Sequence, residues 1–240
     1  MGESIKRIVE PYQDSYSPNG IIGEKDACGV GFIANIKGIE SNWILKQSLK
    51  GLNCMEHRGG CGGDSDSGDG AGILCSIPWE FINEEINLEN KQDVDKGLGM
   101  VFMPNKKEKI KECQSICEEE AEKLSVNKTF WRTVPVNNEI LGNLAKANAP
   151  FISQWILHID KKDNQDIETL LFQLRKRIEK KIRDNFKNDV GDCEFYFASL
   201  SSKTVVYKGM VRSEILSEFY QDLKEESFKV SFSVYHRRFS

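Results

Sequence analysis

Between Gly59 and Gly72 the chain carries seven glycines and three aspartates. Such a run cannot hold a regular helix or strand, and it offers many positions where φ can turn positive. Whatever fold this chain takes must therefore be arranged around a loop that joins two ordered pieces. On its upstream side, Cys28-Gly29-Val30-Gly31-Phe32-Ile33-Ala34 reads as a strand of apolar and β-branched residues. Its two glycines give up packing surface and so allow close approach of another backbone or a ligand. Cys28 stands at the head of that strand with room above it. From Ser41 to Met55, the residues Ile44, Leu45, Leu49, Leu52 and Met55 recur at helical spacing, with Ser41 placed to cap. Downstream of the loop, Ile73, Leu74 and Ile77 read as a buried strand stopped by Pro78.

The rest of the chain mixes helices and strands. Residues 1 to 25 are polar, interrupted by Pro11, Pro18 and Gly20, and suit an extended, removable leader or an ordinary disordered tail. The segment from Trp79 to Lys96 is charged and reads as a surface helical turn or loop. Strands are predicted at Gly97 to Met103, at Phe130 to Val136 as an edge strand because Pro135 removes a ladder donor, and at Phe151 to Ile159. Helices are predicted from Lys106 to Leu124 and from Ile167 to Phe186, the second with Leu170, Leu171, Leu174, Ile178 and Ile182 inward. The basic run Arg175 to Arg183 then falls on a solvated helix face. Asn137 to Pro150 is a loop with some helical tendency. Glu194 to Leu200 and Thr204 to Tyr207 read as paired strands across a polar turn, Ser213 to Leu223 as a short helix, and Lys229 to Ser240 as a strand alternating Val230, Phe232 and Val234. The fold class is α+β, with sheets sandwiched between helix layers.

Charge and cysteine content bound the function. The 240 residues are enough for one large domain or two small ones without disulfide staples, and the net charge of −4 argues against nucleic acid or an anionic membrane as partner. Seven cysteines at irregular spacing, with no apolar run long enough for a membrane span or secretory signal, indicate a reduced, cytoplasmic compartment. Most of those cysteines read as small buried hydrophobes. Cys113 and Cys117 lie one helical turn apart with no second pair or histidine beside them, so no metal site is expected.

Two motif readings fail on geometry. Gly29-Val30-Gly31-Phe32-Ile33-Ala34 fits a dinucleotide fingerprint loosely, but its glycines lie within a strand rather than in a strand-to-helix turn. Asp64-Ser65-Asp66-Ser67-Gly68-Asp69 suggests a calcium loop, yet Asp69 occupies the place of the required glycine and Cys75 that of the final glutamate.

Three separated blocks, in order, carry a family resemblance: Asp26-Ala27-Cys28-Gly29-Val30-Gly31-Phe32-Ile33-Ala34, Cys54-Met55-Glu56-His57-Arg58-Gly59-Gly60, and Asp66-Ser67-Gly68-Asp69-Gly70-Ala71-Gly72-Ile73-Leu74. Together they resemble the amino-terminal glutaminase domain of glutamate synthase, and Ser76-Ile77-Pro78-Trp79 looks more like the ferredoxin-dependent branch than the pyridine-nucleotide branch. The resemblance implies a class II glutamine amidotransferase of the N-terminal-nucleophile hydrolase type, a four-layer αββα sandwich. It implies that residues 1 to 27 are a propeptide, that residues 28 to 240 are a partial amidotransferase domain, and that Cys28 becomes the amino terminus.

The chemistry accounts for such processing. A thiol needs a nearby base to become a thiolate, and a free α-amino group on the same residue is held within reach by covalent geometry. With a pKa of about 7.7–8.0, against about 10.4 for lysine, that amine is neutral in a useful fraction near neutral pH. While Ala27 remains attached, the same nitrogen is an amide and cannot take a proton.

By the same resemblance, His236-Arg237-Arg238-Phe239-Ser240 matches a motif of histidine, any residue, arginine, aromatic, small. Arg238 then pairs with the α-carboxylate of L-glutamine, Phe239 is the motif aromatic in the substrate pocket, and Arg237 is the intervening residue. A guanidinium fork can hold a carboxylate through two parallel hydrogen bonds. Read without the motif, an arginine at a strand end is a surface charge. Arg58 and Gly59 match the family's helix-to-loop junction beside the new amino terminus. Arg58 there steadies the thiolate, or answers the dipole of its helix. His57 reads as structural.

The family's oxyanion-hole residues are expected downstream of Ser240, so the domain reads as incomplete at its C-terminus. One reading is therefore a glutaminase segment whose ammonia serves glutamate synthesis from 2-oxoglutarate, with ferredoxin, FMN and an iron–sulfur cluster engaged by the remainder of the enzyme and no cofactor in this chain. The other is a noncatalytic truncated remnant, or one piece of a split subunit.

Overall fold

The computed structural model describes residues 29–56, 68–87, 94–126, 128–160, 166–186 and 195–237. Within them the chain forms two four-stranded sheets, and every strand pair is antiparallel.

The first sheet contains β1 (Gly29–Ala34), β2 (Ala71–Ser76), β7 (Thr204–Gly209) and β8 (Phe232–Arg237), in the order β1-β8-β2-β7. The second contains β3 (Val94–Met103), β4 (Lys128–Thr133), β5 (Phe151–Asp160) and β6 (Tyr196–Ser201), in the order β4-β5-β3-β6. Helix α1 (Asn42–Cys54) lies against β8 and β1, and α2 (Trp79–Glu85) follows β2. Helices α3 (Lys107–Glu122) and α5 (Ile167–Asn185) pack on each other. The short helices α4 (Asn143–Ala147) and α6 (Leu216–Phe219) lie in connections.

The second sheet shows why the layers form. Successive strand residues point to opposite faces, and here both faces are apolar. Leu98, Met100, Ile152 and Ile156 pack in one core with Ile73, Val205 and Tyr207 of the first sheet. Val101, Met103, Trp155, Leu157 and Ile159 pack in a second core with Cys113, Cys117, Leu171, Leu174 and Ile178 of α3 and α5. One side of the sheet therefore meets the other sheet, and the opposite side meets the helix pair. The molecule is α+β with two antiparallel sheets.

Several expectations change. Ser41 occupies the N-cap of α1 but its side chain makes no capping bond. Its backbone instead bridges to Val230, donating at 3.0 Å and accepting at 3.3 Å. The segment after Trp79 is more than a surface turn, because α2 buries Phe81 and Ile82 completely or nearly so. The predicted edge strand does lie at a sheet edge, but it ends at Thr133, and Val136 makes only a lone bridge to Tyr220. Ser213 to Leu223 is not one helix but a 3-10 turn at Ser213–Ile215, then α6, then another 3-10 turn at Gln221–Lys224.

The largest correction concerns the predicted hairpin near residue 200. Strands β6 and β7 are consecutive but do not pair as a ladder: β6 pairs with β3, and β7 pairs with β2. The turn between them carries the chain from one sheet to the other. Glu168 in the first turn of α5 fixes it, its Oε1 accepting from Ser202 N–H at 2.7 Å, Ser202 Oγ–H at 2.6 Å and Ser201 Oγ–H at 3.1 Å.

Candidate active site

The residues singled out from sequence, Cys28, Arg58, Gly59, Arg238 and Phe239, lie outside the described residues. Their immediate chain neighbours are described, and the sheet brings those neighbours together. Strand β8 runs between β1 and β2, so that Arg237 is the cross-strand partner of Gly29 on one side and of Ala71 on the other. Gly29 follows Cys28, Arg237 precedes Arg238, and Gly70-Ala71 closes the glycine-rich segment.

Arg237 organises this sheet end. It is wholly inaccessible to solvent, although the motif reading left it as the unspecified position. Its Nη1 donates to the carbonyl of Gly70 at 2.7 Å and its Nη2 to Oε1 of Glu56 at 3.0 Å. Glu56 lies just beyond α1, two residues before Arg58. Its second oxygen, Oε2, accepts from the backbone N–H of Ser213 at 3.0 Å. Partial burial works against the Glu56 charge, but the Ser213 donor and the Arg237 guanidinium outweigh it and hold the carboxyl below its usual range.

Glycines make room for this packing. A Cβ on Gly31 would sit 2.5 Å from the Tyr235 ring, and one on Gly51 of α1 would meet the same end of that side chain. Tyr235 therefore fills the space that Gly31 of β1 and Gly51 of α1 leave open, so Gly31 makes room for an aromatic ring. A Cβ on Gly68 would sit 2.7 Å from the backbone nitrogen of Arg212, so the end of the glycine-rich segment is pressed against the chain leading to Ser213.

Sequence reasoning missed Arg237, Glu56 and Ser213. Alternation of Val230, Phe232 and Val234 marks a strand without saying which face is buried, and Val230 is itself fully buried. In the structure Phe232 and Val234 are only partly buried, while the alternate face carries fully buried Ser233 and Arg237. The signal available was Arg237 itself, a charge placed two residues after an aromatic on the same face of a strand.

A family model of the class-II glutamine amidotransferases matches residues 28–240. The chain belongs to the class-II glutamine amidotransferases. It is 43% identical over 235 residues to a chloroplastic ferredoxin-dependent glutamate synthase of Oryza sativa subsp. japonica, covering 96% of this chain and 14% of that protein. It is 44% identical over 224 residues to ferredoxin-dependent glutamate synthase 1 of Arabidopsis thaliana, covering 92% of this chain and 14% of the relative. To ferredoxin-dependent glutamate synthase 2 of a Synechocystis strain it is 44% identical over 226 residues, again covering 92% and 14%. The chain thus spans about one seventh of the length of these relatives (14%).

In this amidotransferase the described cysteines other than Cys54 are poor nucleophiles. Cys75, Cys113 and Cys117 are fully buried, and burial pushes the Cys75 and Cys117 thiols far up, so neither forms a thiolate near neutral pH. Nor do these thiols suit an iron–sulfur cluster: Cys75 lies in the first core and Cys113 and Cys117 in the second. No group of three or more candidate metal ligands occurs among the described residues, and no helix among them is long and apolar enough to cross a membrane.

Proposed function

We propose that this chain is the glutaminase part of a ferredoxin-dependent glutamate synthase and that Cys28 is its nucleophile. The observation that carries the reading is the convergence at one sheet end of Gly29, Glu56, Gly70 and Arg237, each a member of one of the four motif segments. A family match that begins at Cys28 supports it. So does the identity to ferredoxin-dependent glutamate synthases along nearly the whole chain.

In this reading residues 1 to 27 are a propeptide and residues 28 to 240 the amidotransferase domain, a four-layer αββα sandwich of the N-terminal-nucleophile type. Release of Ala27 frees the α-amine of Cys28, which accepts the thiol proton. The thiolate attacks the amide carbon of L-glutamine, forming a carbon–sulfur bond and an oxyanion. The protonated amine returns its proton to the departing nitrogen, the carbon–nitrogen bond breaks, and ammonia leaves behind a γ-glutamyl thioester. Water, deprotonated by the same amine, then cleaves the thioester to glutamate and restores the thiol.

Arg238 pairs with the α-carboxylate of the substrate, with Phe239 in the same pocket. Arg58 and Gly59 lie beside the new amino terminus, where a positive charge favours the thiolate. The ammonia serves glutamate formation from 2-oxoglutarate elsewhere in the longer enzyme, with reduced ferredoxin, FMN and an iron–sulfur cluster belonging to that remainder, in a reducing, cytoplasmic setting.

Two measurements test this. Intact mass of the purified protein is expected to show loss of residues 1 to 27. The glutamine analogue 6-diazo-5-oxo-L-norleucine is expected to label Cys28 covalently and to leave Cys28→Ala unlabelled. Equal labelling of Cys28→Ala, or a mature protein that keeps Met1 and still labels, overturns the mechanism.

A further inference from the structure

We propose that Arg237 is a positioning residue for the Cys28 nucleophile, acting with Glu56 as a buried clamp that fixes three chain segments around the head of β1. The proposal rests on the reading of Cys28 as nucleophile.

The Arg237 guanidinium joins two separate chain segments. Nη1 holds the carbonyl of Gly70, at the close of the glycine-rich segment, and Nη2 holds Glu56, at the exit of α1. Glu56 passes the connection to the backbone of Ser213. The arginine backbone is meanwhile paired with Gly29 and Ala71 in the sheet. One side chain thus ties the helix exit, the loop exit and the 212–213 segment to the strand that carries the nucleophile.

A merely packing role would not require this residue type. A buried arginine carries a large desolvation penalty, and apolar residues of similar volume often stabilise a core as well or better. What the fork offers in return is direction: planar N–H donors set at fixed angles hold two acceptors in one relative geometry. Lysine supplies the same charge without that geometry. Gly70 also has a φ of 118°, in the region that favours glycine, and its carbonyl is the one Arg237 holds. The clamp therefore fastens the chain at a point where the glycine-rich segment could otherwise turn in several ways.

The test compares the whole chain with its Arg237→Lys and Arg237→Met variants, using 6-diazo-5-oxo-L-norleucine as probe. Cys28 modification is followed by peptide mass spectrometry, and circular dichroism melting is recorded alongside. Because misplacement of a reacting group by about 1 Å costs on the order of a hundredfold, Arg237→Met is expected to lower the maximal labelling rate about a hundredfold. Arg237→Lys is expected to recover only about a tenth of the parental rate by the same reasoning. The half-saturating probe concentration should move by less than about twofold, the pattern of an interaction that orients rather than binds.

If both variants label at the parental rate while melting earlier, Arg237 is only structural and the proposal is wrong. Should Arg237→Met fail to fold, Arg237→Lys decides alone. A parent chain that folds and is not labelled overturns the nucleophile reading, and the proposal with it.

Discussion

Tyr235 illustrates how one side chain can fix the meaning of distant glycines. Its ring occupies the space that a side chain at Gly31 or Gly51 would need. Gly31→Ala is expected to destabilise the fold by about 1–3 kcal/mol through overpacking, read as an earlier thermal melt. Combining it with Tyr235→Ala should recover part of that loss, since the obstructing ring is then absent. Glu56 makes a second residue-scale prediction. Its carboxyl is held below the ordinary value of 4.5, against burial, by Ser213 and Arg237. A depressed carboxylate contributes stability that is present above the unfolded value and is lost as pH falls through the folded one. Acid titration of unfolding below about pH 4.5 should therefore be shallower in Glu56→Gln than in the parent. Parallel curves would show that the ionised Glu56 carboxylate, held by Ser213 and Arg237 together, adds nothing to stability.

At the scale of elements, the passage from β6 to β7 depends on a contact remote in sequence. Glu168 accepts from two serine hydroxyls and one backbone N–H at the turn where the chain changes sheets. Removing the acceptor in Glu168→Ala leaves those donors to find water or go unpaired. The expected loss is about 1–3 kcal/mol in chemical denaturation, with Glu168→Gln losing less because its amide oxygen still accepts. Helices α3 and α5 show a related device. Glu120, largely buried, accepts from Arg177 Nε at 2.9 Å and from Lys123 Nζ at 2.6 Å, crossing between the helices through Arg177. The apolar faces of both helices were legible at three- and four-residue spacing, whereas this crossing ion pair was not. Periodicity reports which face is buried, but not which charge on the rim finds a partner.

Across the whole molecule, the two sheets are joined by a buried polar network as well as by apolar packing. Arg132 of β4 donates through Nη1 to Gln154 at 2.9 Å, and through Nη1 and Nη2 to Asp222 at 2.8 Å each, and reaches Glu85 of α2 at 2.6 Å. Tyr207 of β7 donates to Asp222 at 2.9 Å and accepts from Gln154 at 2.8 Å. Burial, then the Asp222 charge, pushes the Tyr207 phenol well up, so it remains a donor. Burial also opposes the Arg132 charge, but Asp222 and then Glu85 more than compensate and raise it. Arg132→Met strands Asp222 as an unpaired buried charge and is expected to cost about 3–5 kcal/mol. The double change Arg132→Met with Asp222→Asn should cost less than the two single changes combined, and urea unfolding of all three checks this.

The sequence alone was enough for the long helices and for the family. Leu170, Leu171, Leu174, Ile178 and Ile182 marked α5, and the blocks around Cys28, Arg58 and Asp69 marked the kinship that the family match bears out. Local spacing and short motifs are written along the chain, so they can be read without knowing what touches what. Tertiary structure alone decided that consecutive strands β6 and β7 enter different sheets, that Arg237 rather than a neighbouring apolar residue is buried in β8, and that Arg132 meets Asp222. Those outcomes depend on pairing between residues far apart in sequence, where a buried charge becomes tolerable only once its partners have been brought to it.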